Sequence, residues 1–272
     1  MTKKKIELTL PATLKFSSLV RAIAADVFDY VGFTKEWSSR LKLVVDELFM
    51  NANRYASKEG ESKIYIEFEY DDKAVSFKID DEGVGKEKVS AEELKQKIQL
   101  NKESVMDITK TSGRGLALIS SLWTDEVTIT DSPHGGISVF FVKEITSEAP
   151  PAPPIQNIPS VSQPAPKDAK DSPVMAQGPT EIIKVVGEVD QSNLEEKVKP
   201  VEEKVQSMPE NGILVIDCSE LIYFNSTFIG HLASWHNAMM QKGGQMVLKN
   251  TNDEVRDVLD LVGLSRVIYV EK

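Results

Sequence analysis

Glu47 and Asn51 stand four residues apart in the run Val44-Val45-Asp46-Glu47-Leu48-Phe49-Met50-Asn51-Ala52-Asn53. On a helix, side chains at i and i+4 point to the same side, so a carboxylate and a carboxamide would face one place on an otherwise apolar helix. Two glycine turns follow, Asp81-Glu82-Gly83-Val84-Gly85 and Ser112-Gly113-Arg114-Gly115. Binding a Mg-nucleotide requires an oxygen ligand for the metal, backbone donors for the phosphates and a group that reads the base. Asn51 can offer a neutral oxygen to Mg²⁺. Asp81, at the end of a strand, can accept a hydrogen bond from an exocyclic amine. Gly83 and Gly85 allow a close turn beneath the base. Gly113 and Gly115 expose backbone N–H groups at a helix start, where Ser112 and Arg114 add a hydroxyl and a positive charge. Glu47, one helical turn from the metal ligand, is placed to act as a general base.

These groups need elements to hold them. Alternation at Ile6, Leu8 and Leu10 predicts a first strand. Helical spacing at Leu19, Ile23, Val27 and Tyr30 predicts a helix over 14–31, and a second helix spans 36–56. Residues 62–70 and 74–80 alternate as two strands around Asp71-Asp72. A helix is expected over 113–122. Strands over 125–130 and 136–143 form a closing hairpin whose turn is Ser132-Pro133-His134-Gly135. In the second half, 181–186, 213–217 and 245–249 read as buried strands, and 192–206, 227–241 and 252–262 as helices. Strands alternating with helices predict a small α/β domain.

The 272 residues are enough for two ordinary domains. Between 146 and 179 lie nine of the thirteen prolines and no aromatic residue. Such a segment cannot bury enough surface to offset chain entropy and is expected to be a disordered, partly polyproline-II linker. It divides the chain into 1–145, 146–179 and 180–272. A formal charge of −10 argues against nucleic acid as a partner. No apolar run reaches the length of a membrane span, and the N-terminus leads into a strand pattern, not a signal peptide. The single cysteine, Cys218, fits a reducing cytoplasm and a core position.

The first half resembles the GHKL ATPases. Glu47-x-x-x-Asn51 is similar to their N box, Asp81-x-Gly83-x-Gly85 to the first glycine box and Ser112-Gly113-Arg114-Gly115-Leu116 to the second. The form Ser-Gly-Arg-Gly-Leu, soon followed by Asp-Glu-Val, is most similar to the anti-sigma-factor serine kinases. The resemblance covers residues 5–145. It implies an α/β sandwich that binds ATP and Mg²⁺, with 86–112 as a lid over the phosphates, and a homodimer formed through the N-terminal domain. Histidine kinases resemble this site too, but they carry a phosphoacceptor histidine helix before it, and here no histidine precedes His134.

The second half resembles the STAS domain of anti-sigma-factor antagonists. Its landmarks are Gly187-Glu188-Val189-Asp190, Asp217, Asn225-Ser226-Thr227, Gly230, Gly243-Gly244 and Leu261-Val262-Gly263-Leu264. The resemblance implies a phosphoacceptor at Ser226, with Thr227 the next hydroxyl, and a partner surface including Asp190, Asp217 and Asn225. Two departures stand out. Asn225 replaces the usual aspartate, and Phe228 replaces a common glycine, which adds bulk beside the acceptor. Taken together, the resemblances imply a partner-switching regulator. Its kinase would phosphorylate a STAS-domain serine, in its own C-terminal domain or in a partner protein, and could sequester an alternative sigma factor. The competing expectation is a non-catalytic nucleotide-binding module whose STAS domain is a tethered competitor or scaffold.

Overall fold

The computed structural model describes residues 3–56, 58–85, 90–101, 123–148 and 178–271. They fall into two compact units, those within 3–148 belonging to the first and 178–271 to the second.

The first unit is a five-stranded antiparallel sheet. Its strands are β1 (Lys4–Pro11), β2 (Lys63–Tyr70), β3 (Ala74–Asp80), β4 (Glu126–Asp131) and β5 (Ile137–Glu144), in the spatial order β1-β2-β3-β5-β4. Pairing Phe68 with Phe77, and Phe77 with Phe141, sets aromatic rings side by side across three strands. Ile66, Ile79 and Val139 form the next layer in the same way. All six are buried. On the same face lie α1 (Ser17–Val31) and α2 (Lys35–Ala56). Val20, Ala24, Val27 and Phe28 turn inward at helical spacing, and the Phe28 ring meets Phe68 edge-on at 6.4 Å. Each fully buried ring or branched chain contributes roughly 1.5–3 kcal/mol. Gly32 ends α1 in the left-handed conformation at φ 104°.

A buried ion pair joins the two helices. Arg21 Nη1 of α1 donates to Asp46 Oδ1 of α2 at 2.5 Å, and both side chains are at least 95% buried. Asp46 adjoins Glu47, so this pair sets the rotation and height of the helix that carries the candidate base. Near the start of α2, Trp37 Nε1 donates to the Glu148 carbonyl at 2.8 Å, and the Lys143 ammonium sits 4.4 Å from the Trp37 ring centroid while pairing with Asp125 at 2.6 Å. The chain is thus held to α2 where it leaves the first unit.

A helix, α3 (Ala91–Asn101), occupies part of the expected lid. Ser90 and Glu93 form a reciprocal capping box at its start: Ser90 N donates to Glu93 Oε2 at 2.8 Å and Glu93 N to Ser90 Oγ at 3.2 Å. Glu92, Glu93 and Lys95 are exposed, as expected of a solvated face. The expected helix over 113–122 lies outside the described residues.

The second unit is a parallel four-stranded sheet in the order β6-β7-β8-β9, from β6 (Thr180–Val189), β7 (Ile213–Phe224), β8 (Gln245–Lys249) and β9 (Tyr269–Glu271). Parallel strands need crossovers, and α4 (Leu194–Ser207), α5 (Ser226–Gln241) and α6 (Asp253–Leu261) supply them. Strand β7 runs seven residues past its expected end at Asp217. It stays paired with β6 because that strand shifts register at Lys184/Val186 and Gly187/Glu188, with Gly187 at φ 75°. Cys218 is buried as expected, and burial pushes its thiol up to about 12. Gly243, at φ 68°, follows the end of α5 as expected.

Candidate functional site

Nearly every side of α2 is covered. From Leu43 to Met50 every residue is buried except Glu47, which keeps partial exposure, and Asn51 is the next residue to regain it. The helix therefore presents these two side chains together on the strip where solvent and a ligand can reach them, as the i,i+4 spacing requires. Two residues on, Asn53 donates to the Phe49 carbonyl at 2.8 Å, so its amide serves its own helix.

Asp81 follows the last residue of β3 and is 5% exposed. Its Oδ1 accepts from Gly83 N at 2.9 Å and from Ile137 N at 3.2 Å, and its own N–H donates to the Ile137 carbonyl at 3.1 Å. The carboxylate thus bridges two turns, its own and that of the β4–β5 hairpin. Burial raises its pKa from 3.8 to about 6; the two backbone donors oppose the shift and the charge of Asp80 adds to it. A carboxyl poised near 6 can still be ionised at neutral pH and accept from an amine.

The glycines explain how the two turns approach. Gly83 has φ 62°, and a Cβ there would meet Gly135 O and Gly136 Cα at 2.7 Å. A Cβ on Gly136 would lie 1.7 Å from Asp81 Oδ1. Glycine is required at both positions by contact between backbones. Gly85 lies two residues further along the same turn, half-buried, beside the exposed Val84. Gly136 had been read only as a strand start. The Gly135-Gly136 doublet, one glycine more than a hairpin turn needs, was the available signal. Ser112, Gly113, Arg114 and Gly115, the expected phosphate-binding turn, lie outside the described residues.

Among the described residues no cluster of three or more His, Cys, Asp or Glu could hold a metal ion. Asn51 would offer a single neutral oxygen, which would suit a Mg²⁺ that arrives on nucleotide phosphates and keeps most of its ligands from them and from water.

In the second unit Ser226 is the first residue of α5, and Ser226 and Thr227 are both half-buried. Asn225 is the cap: its Oδ1 accepts from Phe228 N at 3.0 Å, and its N–H donates to the Val189 carbonyl at 3.0 Å. Three expectations are corrected here. Asn225 is 0% exposed and Asp190 5% exposed, so neither lies on a partner surface. Both are consumed by local structure, Asn225 in capping and Asp190 in accepting from Ser192 N at 2.8 Å and Ser192 Oγ at 2.5 Å. Phe228, expected to add bulk beside Ser226, turns its ring into the core. Its ring is buried against Phe224 at 5.8 Å and Trp235 at 5.6 Å. Asp217 does retain exposure; hydrogen bonds from Asn250 and Ser219 hold its carboxyl below the usual range. His236 is buried with its pKa lowered by burial, and His231 pairs with Glu202 at 3.2 Å.

Comparison with known proteins finds two families along the chain. Residues 10–141 match the histidine kinase-like ATPase domain and residues 173–272 the STAS domain. The serine-protein kinase RsbW of Staphylococcus aureus is 33% identical over 146 residues, which is 53% of this chain and 88% of that protein. Its counterparts in strains JH9 and Newman are 32% identical over the same length. Among the described residues no helix is long and apolar enough to cross a membrane.

Proposed function

The chain belongs to the RsbW serine-protein kinase family, joined in one polypeptide to a STAS domain, and on that premise we propose that it is a cytoplasmic partner-switching regulator that phosphorylates a STAS-domain serine, its own Ser226 first. In this reading residues 1–145 bind Mg-ATP, 146–179 are the linker and 180–272 the acceptor domain. Asp81 accepts from the adenine amine above the Gly83–Gly136 contact. Asn51 offers its oxygen to Mg²⁺. Ser112, Gly113, Arg114 and Gly115 hold the phosphates. Glu47 takes the proton of the serine hydroxyl as its oxygen attacks the γ-phosphorus and the bond to ADP breaks. The phosphoserine then sits at the N-terminus of α5, where the helix dipole favours negative charge. An alternative sigma factor is the partner the ATPase domain would hold when no STAS domain engages it, and pairing through that domain completes the proposal.

The observation that carries this reading is the strip on α2: in a stretch otherwise buried from Leu43 to Met50, only Glu47 reaches toward solvent, one turn from Asn51. Incubating the full chain, alone and with a separate STAS-domain protein, with γ-labelled Mg-ATP tests it. Label on a serine of either protein is expected. ADP release without labelled protein would make the chain a signalling ATPase, and nucleotide binding with neither product would make it a non-catalytic module.

A further inference from the structure

Tyr65 and His134 are 69 residues apart, yet their rings are stacked at 3.6 Å between centroids and 8° between planes. No role assigned above needs this contact. Tyr65 points away from the buried face of β2, opposite Asp80 in the register. Its hydroxyl donates to Glu82 Oε1 at 3.1 Å. His134 belongs to the β4–β5 turn, which is already closed by Gly135 N donating to the Ser132 carbonyl at 3.1 Å, Ser132 N to the Gly136 carbonyl at 2.8 Å and His134 N to Ser132 Oγ at 3.0 Å. The stack is therefore not what closes the turn. Its effect is to tie that turn to β2, while the tyrosine hydroxyl ties β2 to the Asp81–Gly85 turn.

Those two turns are the ones that Asp81 Oδ1 bridges through Gly83 N and Ile137 N. They touch backbone to backbone at Gly83, Gly135 and Gly136. A change in their spacing must move the carboxylate or break one of its two hydrogen bonds. We propose that Tyr65, His134 and Glu82 are positioning residues that hold the two turns at the spacing at which Asp81 can read an exocyclic amine, and so set the preference for adenine over other purines. The proposal rests on the assignment of Asp81 as the base reader.

The probes are Mg-ADP and Mg-IDP, which differ at the base by the exocyclic amine, measured by calorimetry on the full chain. The readout is the ratio of their dissociation constants, because a change that only loosens the fold weakens both nucleotides alike. Tyr65→Leu and His134→Ala should lower the ADP preference by about threefold to tenfold, the fold-change that matches the worth of an aromatic pair. His134→Phe keeps a planar ring over Tyr65 and should restore the wild-type ratio; His134 lies in an exposed turn, so these two variants fold without burdening the core. A ratio unchanged in Tyr65→Leu and His134→Ala, or equal loss for both nucleotides, would overturn the proposal while leaving Asp81 as the reader, provided Asp81→Asn abolishes the preference. A wild-type chain that does not prefer ADP, or an Asp81→Asn chain that still does, would overturn the reader assignment and the proposal with it.

Discussion

At the residue scale, the proposed function gives Asp81 and Glu47 separable duties. Asp81 must be ionised to accept from an amine, yet its pKa in the folded chain is about 6 against 3.8 in the open chain. The folded state therefore holds a proton more tightly than the unfolded state. The stability Asp81 contributes through that proton is fully present below 3.8 and lost as pH rises through about 6. An amine donor favours the ionised form, so adenine nucleotide binding must displace the proton at low pH. Affinity for Mg-ADP should be flat above pH 7 and fall by up to about tenfold per unit below 6. Asp81→Asn should remove this dependence and weaken binding by roughly 1–3 kcal/mol at neutral pH. Titration calorimetry between pH 5 and 8 reads both, and an unchanged slope in Asp81→Asn would assign the proton elsewhere. Glu47→Ala should lose about 100-fold or more in phosphoryl transfer, by the usual size of a general-base effect, with nucleotide affinity close to wild type. Equal loss of binding would make Glu47 part of the nucleotide's cradle and not the base.

At the element scale, the site depends on how α2 is seated and how two turns meet. Replacing Arg21 with Met leaves Asp46 charged and buried, which costs about 3–5 kcal/mol. Replacing both Arg21 and Asp46 with apolar residues of similar volume removes the buried charge together with its partner, so the double variant should melt higher than Arg21→Met alone. A denaturation series on the wild type, Arg21→Met and the double variant checks this, and a double variant that melts no higher than Arg21→Met would mean that the lost pair is not what destabilises the single variant. Gly136→Ala should abolish nucleotide binding, because its Cβ would take the space of Asp81 Oδ1. Much of this scaffold was legible in the sequence. Period-two alternation located β2 and β3, and helical spacing located α1 and α2, because their buried faces are large and continuous. What escaped has physical reasons. The capping box Ser90-x-x-Glu93 starts α3 inside the stretch 86–112, which is expected from sequence only as a lid. The end of β7 carries Ser219-Glu220 on an exposed stretch, so pairing with a bulged β6 left no apolar pattern to read. β9 is three residues long, too short for any period. Asn225 and Phe228 were misjudged because burial at a helix start depends on the sheet beneath it. The second contact of Asp81, with the 135–137 turn, joins segments 56 residues apart, and local spacing carries no trace of such a contact.

At the scale of the whole molecule, the chain joins a histidine kinase-like ATPase domain to a STAS domain. If the segment between the two units were a flexible coil of roughly 30 residues, its root-mean-square span would be about 30 Å, comparable to the diameter of a small domain. Such a tether would hold Ser226 at an effective concentration on the order of millimolar, above what free domains reach at micromolar dilution. Tethering would therefore favour transfer within one chain or between paired chains, and separated domains mixed at micromolar concentration should react more slowly. Phe228 is buried and Asn225 caps the helix that begins at Ser226. The most direct test is the intact mass of the full chain after incubation with Mg-ATP, run beside Glu47→Ala and Ser226→Ala. The account predicts one added phosphoryl group on the wild-type chain and none on either variant. Phosphate persisting on Ser226→Ala would move the acceptor elsewhere, to Thr227 first. An unmodified wild-type chain that still phosphorylates a separate STAS-domain protein would contradict self-phosphorylation and leave the tethered domain as a competitor for the kinase.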